Sequence, residues 1–144
     1  MGSKNKLKRF KENETFANVI QPSREEVLGG TFPLKGAWAK EAFKNTHPIV
    51  LELGCGKGEY TVNLAKQYPD KNFIGIDIKG ARFWRGAKTA LEEQIDNAMF
   101  LRTQIELIDY LFAAEALWKV LVPDIADQSC LWKPVPGGRT LPLH

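Results

Sequence analysis

Apolar positions are unevenly spread along the chain, and the unevenness marks out its parts. From Pro48 onward they fall into a repeating pattern. Ile49-Val50-Leu51-Glu52-Leu53 is a short apolar run between a proline and a set of glycines, as suits a strand buried on both faces. Glu59 to Tyr68 then places Val62, Leu64, Ala65 and Tyr68 on or near one helical face, and Pro69-Asp70 stops it. Asn72 to Asp77 reads as a second strand, and Ala81 to Gln94 as a helix despite Gly86. After a turn at Asn97, Ala98 to Leu101 reads as a third strand. Ile105 to Ala114 reads as a third helix, with Ile105, Ile108, Leu111 and Phe112 spaced for one face. Leu117 to Val122 suits a fourth strand.

Strand and helix alternating in this order predict an α/β fold of Rossmann-like type, with parallel strands, right-handed crossovers and a sheet covered on both faces. Ligands of such sheets bind at the carboxyl ends of the strands. The flanks are less regular. Before His47, Phe16, Val19, Ile20, Phe32, Leu34 and Trp38 follow no clear period, Gly29-Gly30 and Pro33 interrupt, and Trp38 to Lys44 suits a short helix. After Pro123, the residues Pro134, Pro136, Gly137-Gly138 and Pro142 argue against a regular element. The expected division is a basic extension packing on the core over 1–47, a Rossmann-like domain over 48–122, and an irregular tail over 123–144. A sheet of three or four strands is thin for this architecture and reads as incomplete at its C-terminal side. Its exposed edge leaves pairing into a homodimer open.

Composition adds limits. With 144 residues, 44% hydrophobic and 26% charged, the chain has room for one globular domain. No apolar run approaches the roughly 20 residues of a membrane helix, and Met1 to Lys11 lacks the apolar core of a signal peptide. Cys55 and Cys130 cannot make a disulfide framework, and with His47 and His144 they show no zinc-like spacing, so no metal site is expected. The expected compartment is the cytoplasm. The net charge is only +3, yet Lys4, Lys6, Lys8, Arg9 and Lys11 crowd the first eleven residues without an acid. Such a run is compatible with a polyanion, but composition alone favours a solvated terminus.

The chemistry concentrates at Glu52-Leu-Gly54-Cys-Gly56-Lys-Gly58, where the first strand turns into the first helix. Glycines there permit positive φ and close approach of a ligand. A dinucleotide site has G-x-G-x-x-G and sets a pyrophosphate on the helix N-terminus. Here the spacing is G-x-G-x-G, and the preceding acid would repel a pyrophosphate, which argues against a nicotinamide-dependent dehydrogenase. Glu52 suits a ligand carrying an ammonium or sulfonium group. Asp77, ending the second strand, can accept both hydroxyls of a ribose. One acid, three glycines and a second acid one strand–helix–strand unit later point to S-adenosylmethionine. Cys55, inside the turn, reads as packing rather than as a nucleophile. Lys79, Arg82, Arg85 and Lys88 can meet RNA phosphates, with a solvated helix face as the competing reading. Phe83 and Trp84 read as packing against the sheet and the N-terminal region rather than as stacking on bases.

Three stretches carry a family resemblance: His47-Pro-Ile-Val-Leu-Glu-Leu-Gly-Cys-Gly-Lys-Gly-Glu-Tyr60, Pro69-Asp-Lys-Asn-Phe-Ile-Gly-Ile-Asp-Ile-Lys-Gly-Ala81, and Phe100-Leu-Arg-Thr-Gln-Ile-Glu106. From about Lys4 to Phe112 the chain resembles the tRNA (guanine-N7)-methyltransferases of the bacterial TrmB type. The resemblance implies a class I S-adenosylmethionine-dependent methyltransferase fold, tRNA as partner, and a variable-loop guanine as methyl acceptor. It places Glu52 by the methionine part of the cofactor, Asp77 on the ribose, and Gln104, with Thr103 beside it, near the adenine. For Gln104 a helix-capping role competes. Guanine N7 has a free lone pair, so catalysis needs chiefly an in-line approach at about 3–3.5 Å. The guanine N1–H and N2–H donors call for a carboxylate. The family has an Asp in a Phe-Pro-Asp-Pro-like motif after its fourth strand; the nearest echo is Val122-Pro-Asp-Ile125, which makes Asp124 the catalytic candidate, with an ordinary loop acid as the competing reading. Trp132-Lys-Pro-Val-Pro-Gly-Gly-Arg-Thr140 matches no family element. The departure leaves a second reading, a chain that binds S-adenosylmethionine without transferring its methyl group.

Overall fold

The computed structural model describes residues 3–113, 117–123 and 130–132. Its elements, in chain order, are α1 (Ser3–Asn13), β1 (Val19–Ile20), α2 (Arg24–Leu28), a π-helix (Trp38–Phe43), β2 (Ile49–Leu53), α3 (Glu59–Gln67), β3 (Asn72–Asp77), α4 (Gly80–Glu92), β4 (Ala98–Arg102), a 3-10 turn (Ile105–Leu107), α5 (Ile108–Leu111), β5 (Leu117–Pro123) and β6 (Cys130–Trp132). The strands form one sheet in the order β1-β4-β3-β2-β5-β6. All pairs are parallel except β5–β6. The chain steps outward from β2 to β3 to β4, then returns to the other side of β2 for β5. That reversal is the switch point at which Rossmann-like sheets bind ligands, and the α/β, Rossmann-like expectation holds.

Strand alternation builds the two core layers. Ile49, Leu51, Ile74, Ile76 and Leu101 face a layer with Val27, Phe32, Trp38, Leu111 and Phe112. Val50, Phe73, Ala98 and Phe100 face a second layer with Val62 and Ala65 of α3 and Phe83, Ala87 and Ala90 of α4. In the first layer Trp38 stacks on Phe112 at 5.0 Å and donates its indole N–H to the Leu111 carbonyl at 2.9 Å. In the second, Phe83 stacks on Phe100 at 5.4 Å.

Three features depart from the sequence reading. The sheet has six strands, not three or four. One addition is β1, where Val19 and Ile20 align with Phe100 and Leu101, their side chains dividing between the two layers. A two-residue strand is too short to show a period, which is why those positions look scattered. The other is β6: Cys130–Trp132 pairs antiparallel along β5, so a regular element stands where prolines and glycines argued against one. Edge pairing supplies the backbone partners that local propensity does not. The third helix also divides into a 3-10 turn and one α-turn, with Ile105 40% exposed rather than on a buried face. The basic run forms α1, which packs on α4. Two asparagine amides tie this region down: Asn13 donates to the Gly80 carbonyl at 3.0 Å and Asn18 to the Ala87 carbonyl at 3.1 Å. Among the described residues no helix is long and apolar enough to cross a membrane.

Candidate functional site

The carboxyl ends of β2, β3 and β4 converge on the glycine loop. In the parallel register Glu52 stands opposite Gly75, and Asp77 opposite Arg102. The loop turns sharply because Gly54, Gly56 and Gly58 have φ of +71°, +57° and +81°, a region L side chains rarely enter. The Ile76 carbonyl accepts from both Gly54 N–H at 2.7 Å and Cys55 N–H at 2.9 Å, which fastens the loop to β3. Gly58 is tight in space as well: a Cβ there would lie 2.6 Å from Phe100 Cε1. Gly86 of α4 meets the same loop, donating its N–H to the Lys57 carbonyl at 2.9 Å. The glycine that looked like a flaw in a helix is therefore where α4 touches the loop.

Two carboxylates flank the turn in different settings. Glu52 is buried, and its Oε1 accepts a short hydrogen bond from the Thr61 hydroxyl. Burial raises its pKa from the ordinary 4.5 to about 7, against the pull of that hydrogen bond. Among the described residues no cation pairs with this buried acid. Asp77 is half-buried and accepts two backbone hydrogen bonds, from Gly56 N–H at 3.0 Å and Lys79 N–H at 2.9 Å. One acid thereby links the glycine loop to the start of α4. An ionised carboxylate has about four lone-pair sites, so Asp77 keeps capacity for two hydroxyls. The Arg82 side chain reaches over the loop, with Nη2 3.3 Å from where a Cβ on Gly56 would lie. Cys55 is buried, and burial, then Glu52 and Asp77, push its thiol well above the usual range. It is therefore no thiolate nucleophile at neutral pH, in line with its reading as packing. Among the described residues no cluster fit for a metal ion occurs.

The other site candidates separate. Thr103 follows β4, is buried, and donates its N–H to the Asp77 carbonyl at 3.3 Å. Gln104 is exposed and makes no side-chain cap bond to the turn it precedes, so the capping role is not realised; its Oε1 instead accepts from Arg24 at 3.3 Å. Asp124 lies outside the described residues. Lys79, just before α4, is exposed, as are Arg82 and Arg85 on it, and Lys88 is half-buried. Trp84 is buried, as its packing role requires, and cations surround it: Arg9 of α1, Arg85 and Lys88 lie 4.4, 4.8 and 4.9 Å from its ring centroid. The ion pairs among the described residues, Lys66–Glu93 and Lys71–Asp70, lie elsewhere and leave these three cations unneutralised.

Sequence reasoning missed Thr61, Gly75 and Arg24, while Trp84 meets the N-terminal region as expected. Gly86 alone carried a signal, since an interior helix glycine costs ~1 kcal/mol against alanine and so asks for a packing reason.

A buried acid without a described cation, a carboxylate on the next strand and a glycine-rich loop can hold a cationic nucleoside and would disfavour a pyrophosphate. A family model described as "Putative methyltransferase" matches residues 46–124. A tRNA (guanine-N(7)-)-methyltransferase of Christiangramia forsetii is 71% identical over 122 residues, covering 85% of this chain and 54% of that protein. One of Porphyromonas gingivalis is 53% identical over 137 residues, covering 91% of this chain and 55% of that protein. The chain thus spans about half the length of the curated relatives it matches. Among solved structures, the 16S rRNA methyltransferase KamB superposes with a TM-score of 0.43 at 18% identity, over 57% of this chain and 55% of that chain.

Proposed function

Because the chain belongs to the tRNA (guanine-N7)-methyltransferase family, we propose that it holds S-adenosylmethionine at the carboxyl ends of β2 to β4 and serves methyl transfer to N7 of a variable-loop guanine in tRNA. The observation that carries the cofactor reading is Glu52, a buried carboxylate with a hydroxyl on one oxygen and no described cation. A buried acid of this kind is costly unless a cation meets it. S-adenosylmethionine supplies a methyl carbon made electrophilic by a sulfonium and brings two positive groups.

In this reading Glu52 faces the methionine end, Gly54 and Gly56 let the ligand lie against backbone while Gly58 seats the loop against Phe100, and Asp77 takes the ribose hydroxyls. Thr103 and Gln104 border the adenine. The space beside Gly54, where an added Cβ would have no neighbour within 4 Å, fits a ligand lying on the loop. Guanine N7 needs no base, so the chain's task is alignment and exclusion of competing nucleophiles. Asp124 is the proposed acceptor for the guanine N1–H and N2–H donors.

The RNA reading rests on charge. Lys79, Arg82, Arg85 and Lys88 continue from the glycine loop toward α1, where Arg9 joins Arg85 and Lys88 around Trp84. Unneutralised cations this close favour a polyanion, and phosphates supply one without regard to base sequence.

Two measurements test the proposal: titration calorimetry of S-adenosylmethionine into the chain, and methyl transfer to unmodified tRNA. Binding with transfer is expected. Asp77→Ala should cut cofactor affinity at least tenfold; unchanged affinity removes Asp77 from the site. Binding without transfer selects the second reading, a cofactor-binding chain lacking activity.

A further inference from the structure

Three residues from three elements meet beside the glycine loop, and only one of them belongs to its motif. Glu52 is the penultimate residue of β2. Thr61, in the first turn of α3, is fully buried, and its hydroxyl donates to Glu52 Oε1. Gly75 of β3 stands opposite Glu52 in the strand register. A Cβ on Gly75 would lie 2.8 Å from Thr61 Oγ1 and 2.9 Å from the Phe100 ring, so the threonine hydroxyl occupies the space that glycine vacates.

We propose that Thr61 is a positioning residue for the cationic end of the cofactor: its hydroxyl pins one oxygen of Glu52 and leaves the other to the ligand, with Gly75 preserving the room for it. The proposal rests on the S-adenosylmethionine reading above and deepens it. The terminal torsion of a glutamate is broad and roughly two-fold, so an unpinned carboxylate samples many orientations. One hydrogen bond from a rigid helix selects among them.

The surroundings make the hydroxyl count. The described charged and titratable groups nearby are Cys55 in the loop, Asp77 at the end of β3 and Arg82 of α4; Glu52, Asp77 and Arg82 all act on the buried Cys55 thiol. Burial opposes ionisation of Glu52, and the Thr61 hydrogen bond is what favours it. Without that bond the carboxyl keeps its proton to higher pH, and an arriving cation finds a neutral partner.

The test is calorimetric titration of S-adenosylmethionine into the wild-type chain, Thr61→Val and Thr61→Ser, from about pH 5.5 to 9. Wild-type affinity should rise with pH as Glu52 ionises. Thr61→Val, nearly isosteric but without the hydroxyl, should weaken binding about tenfold at pH 7 and move the midpoint of the pH profile upward by half a unit or more. Thr61→Ser should keep the wild-type midpoint and stay within about threefold of its affinity. If Thr61→Val does not fold by circular dichroism, Thr61→Ala, which cannot overpack, replaces it with the same expectation. A valine or alanine variant with wild-type affinity and midpoint overturns the proposal, as does equal loss in the serine and valine variants, which would indicate packing alone. A wild-type chain that binds no cofactor refutes the cofactor reading itself, and this proposal with it.

Discussion

Adding one methyl group to the glycine loop separates backbone conformation from space. Gly54 and Gly58 have nearly the same dihedral, φ +71° and +81°. An alanine at either position takes on the left-handed conformation, which costs an L residue ~1–2 kcal/mol. Their surroundings differ. At Gly54 the new Cβ meets nothing within 4 Å, whereas at Gly58 it lands 2.6 Å from Phe100 Cε1 and 2.9 Å from Cζ. Carbon atoms pack at about 3.5–4.0 Å, so the overlap approaches 1 Å. Phe100 cannot swing aside, because it is fully buried and stacked on Phe83. Gly86 Cα, 3.3 Å from the same Cβ, blocks the other direction. Overpacking of this kind adds ~1–3 kcal/mol. Gly54→Ala should therefore cost about 1–2 kcal/mol and Gly58→Ala about 2–5. Urea denaturation followed by circular dichroism reads both, with m unchanged. A double-mutant cycle with Phe100→Leu should show the pair together costing less than the separate losses, since a smaller side chain relieves the clash. If Gly58→Ala loses no more stability than Gly54→Ala, the loop is not packed against Phe100 as described.

Glu52 gives a pH-dependent prediction. Its pKa is raised from 4.5 to about 7 in the fold, so its contribution to stability is greatest below pH 4.5 and is lost as pH rises through about 7. The full loss is on the order of 3 kcal/mol by linkage, so Glu52→Gln should gain stability relative to wild type between about pH 5 and 8; a constant difference across that window in urea denaturation contradicts the buried ionisation. The cations around Trp84 predict salt behaviour. Arg9→Gln, Arg85→Gln and Lys88→Gln combined should lower the slope of log affinity for tRNA against log salt by about 2–3, while Lys35→Gln, Lys40→Gln and Lys44→Gln, an equal loss of charge elsewhere, should leave it nearly unchanged. Equal effects from both sets in anisotropy titrations would mean that net charge, not this cluster, draws the RNA.

Much was legible along the chain because it is local. Apolar runs bounded by proline, glycine or an asparagine turn marked β2, β3 and β4, and an acid placed before G-x-G-x-G argued against a pyrophosphate and favoured a cation. Those signals lie within a few residues of one another, where periodicity and backbone freedom are visible in order. What the tertiary structure decided joins residues distant in sequence. Val19 and Ile20 became a strand only by pairing with Phe100 and Leu101, and Cys130–Trp132 only by pairing with β5. Arg9 and Trp84 meet because α1 packs on α4. Thr61 reads along the chain as one polar residue in a helix, and becomes a partner of Glu52 only because a parallel crossover brings α3 back over β2 and β3 where Gly75 leaves room. Periodicity assigns a residue to a face, but packing alone chooses which residue of another element it will touch.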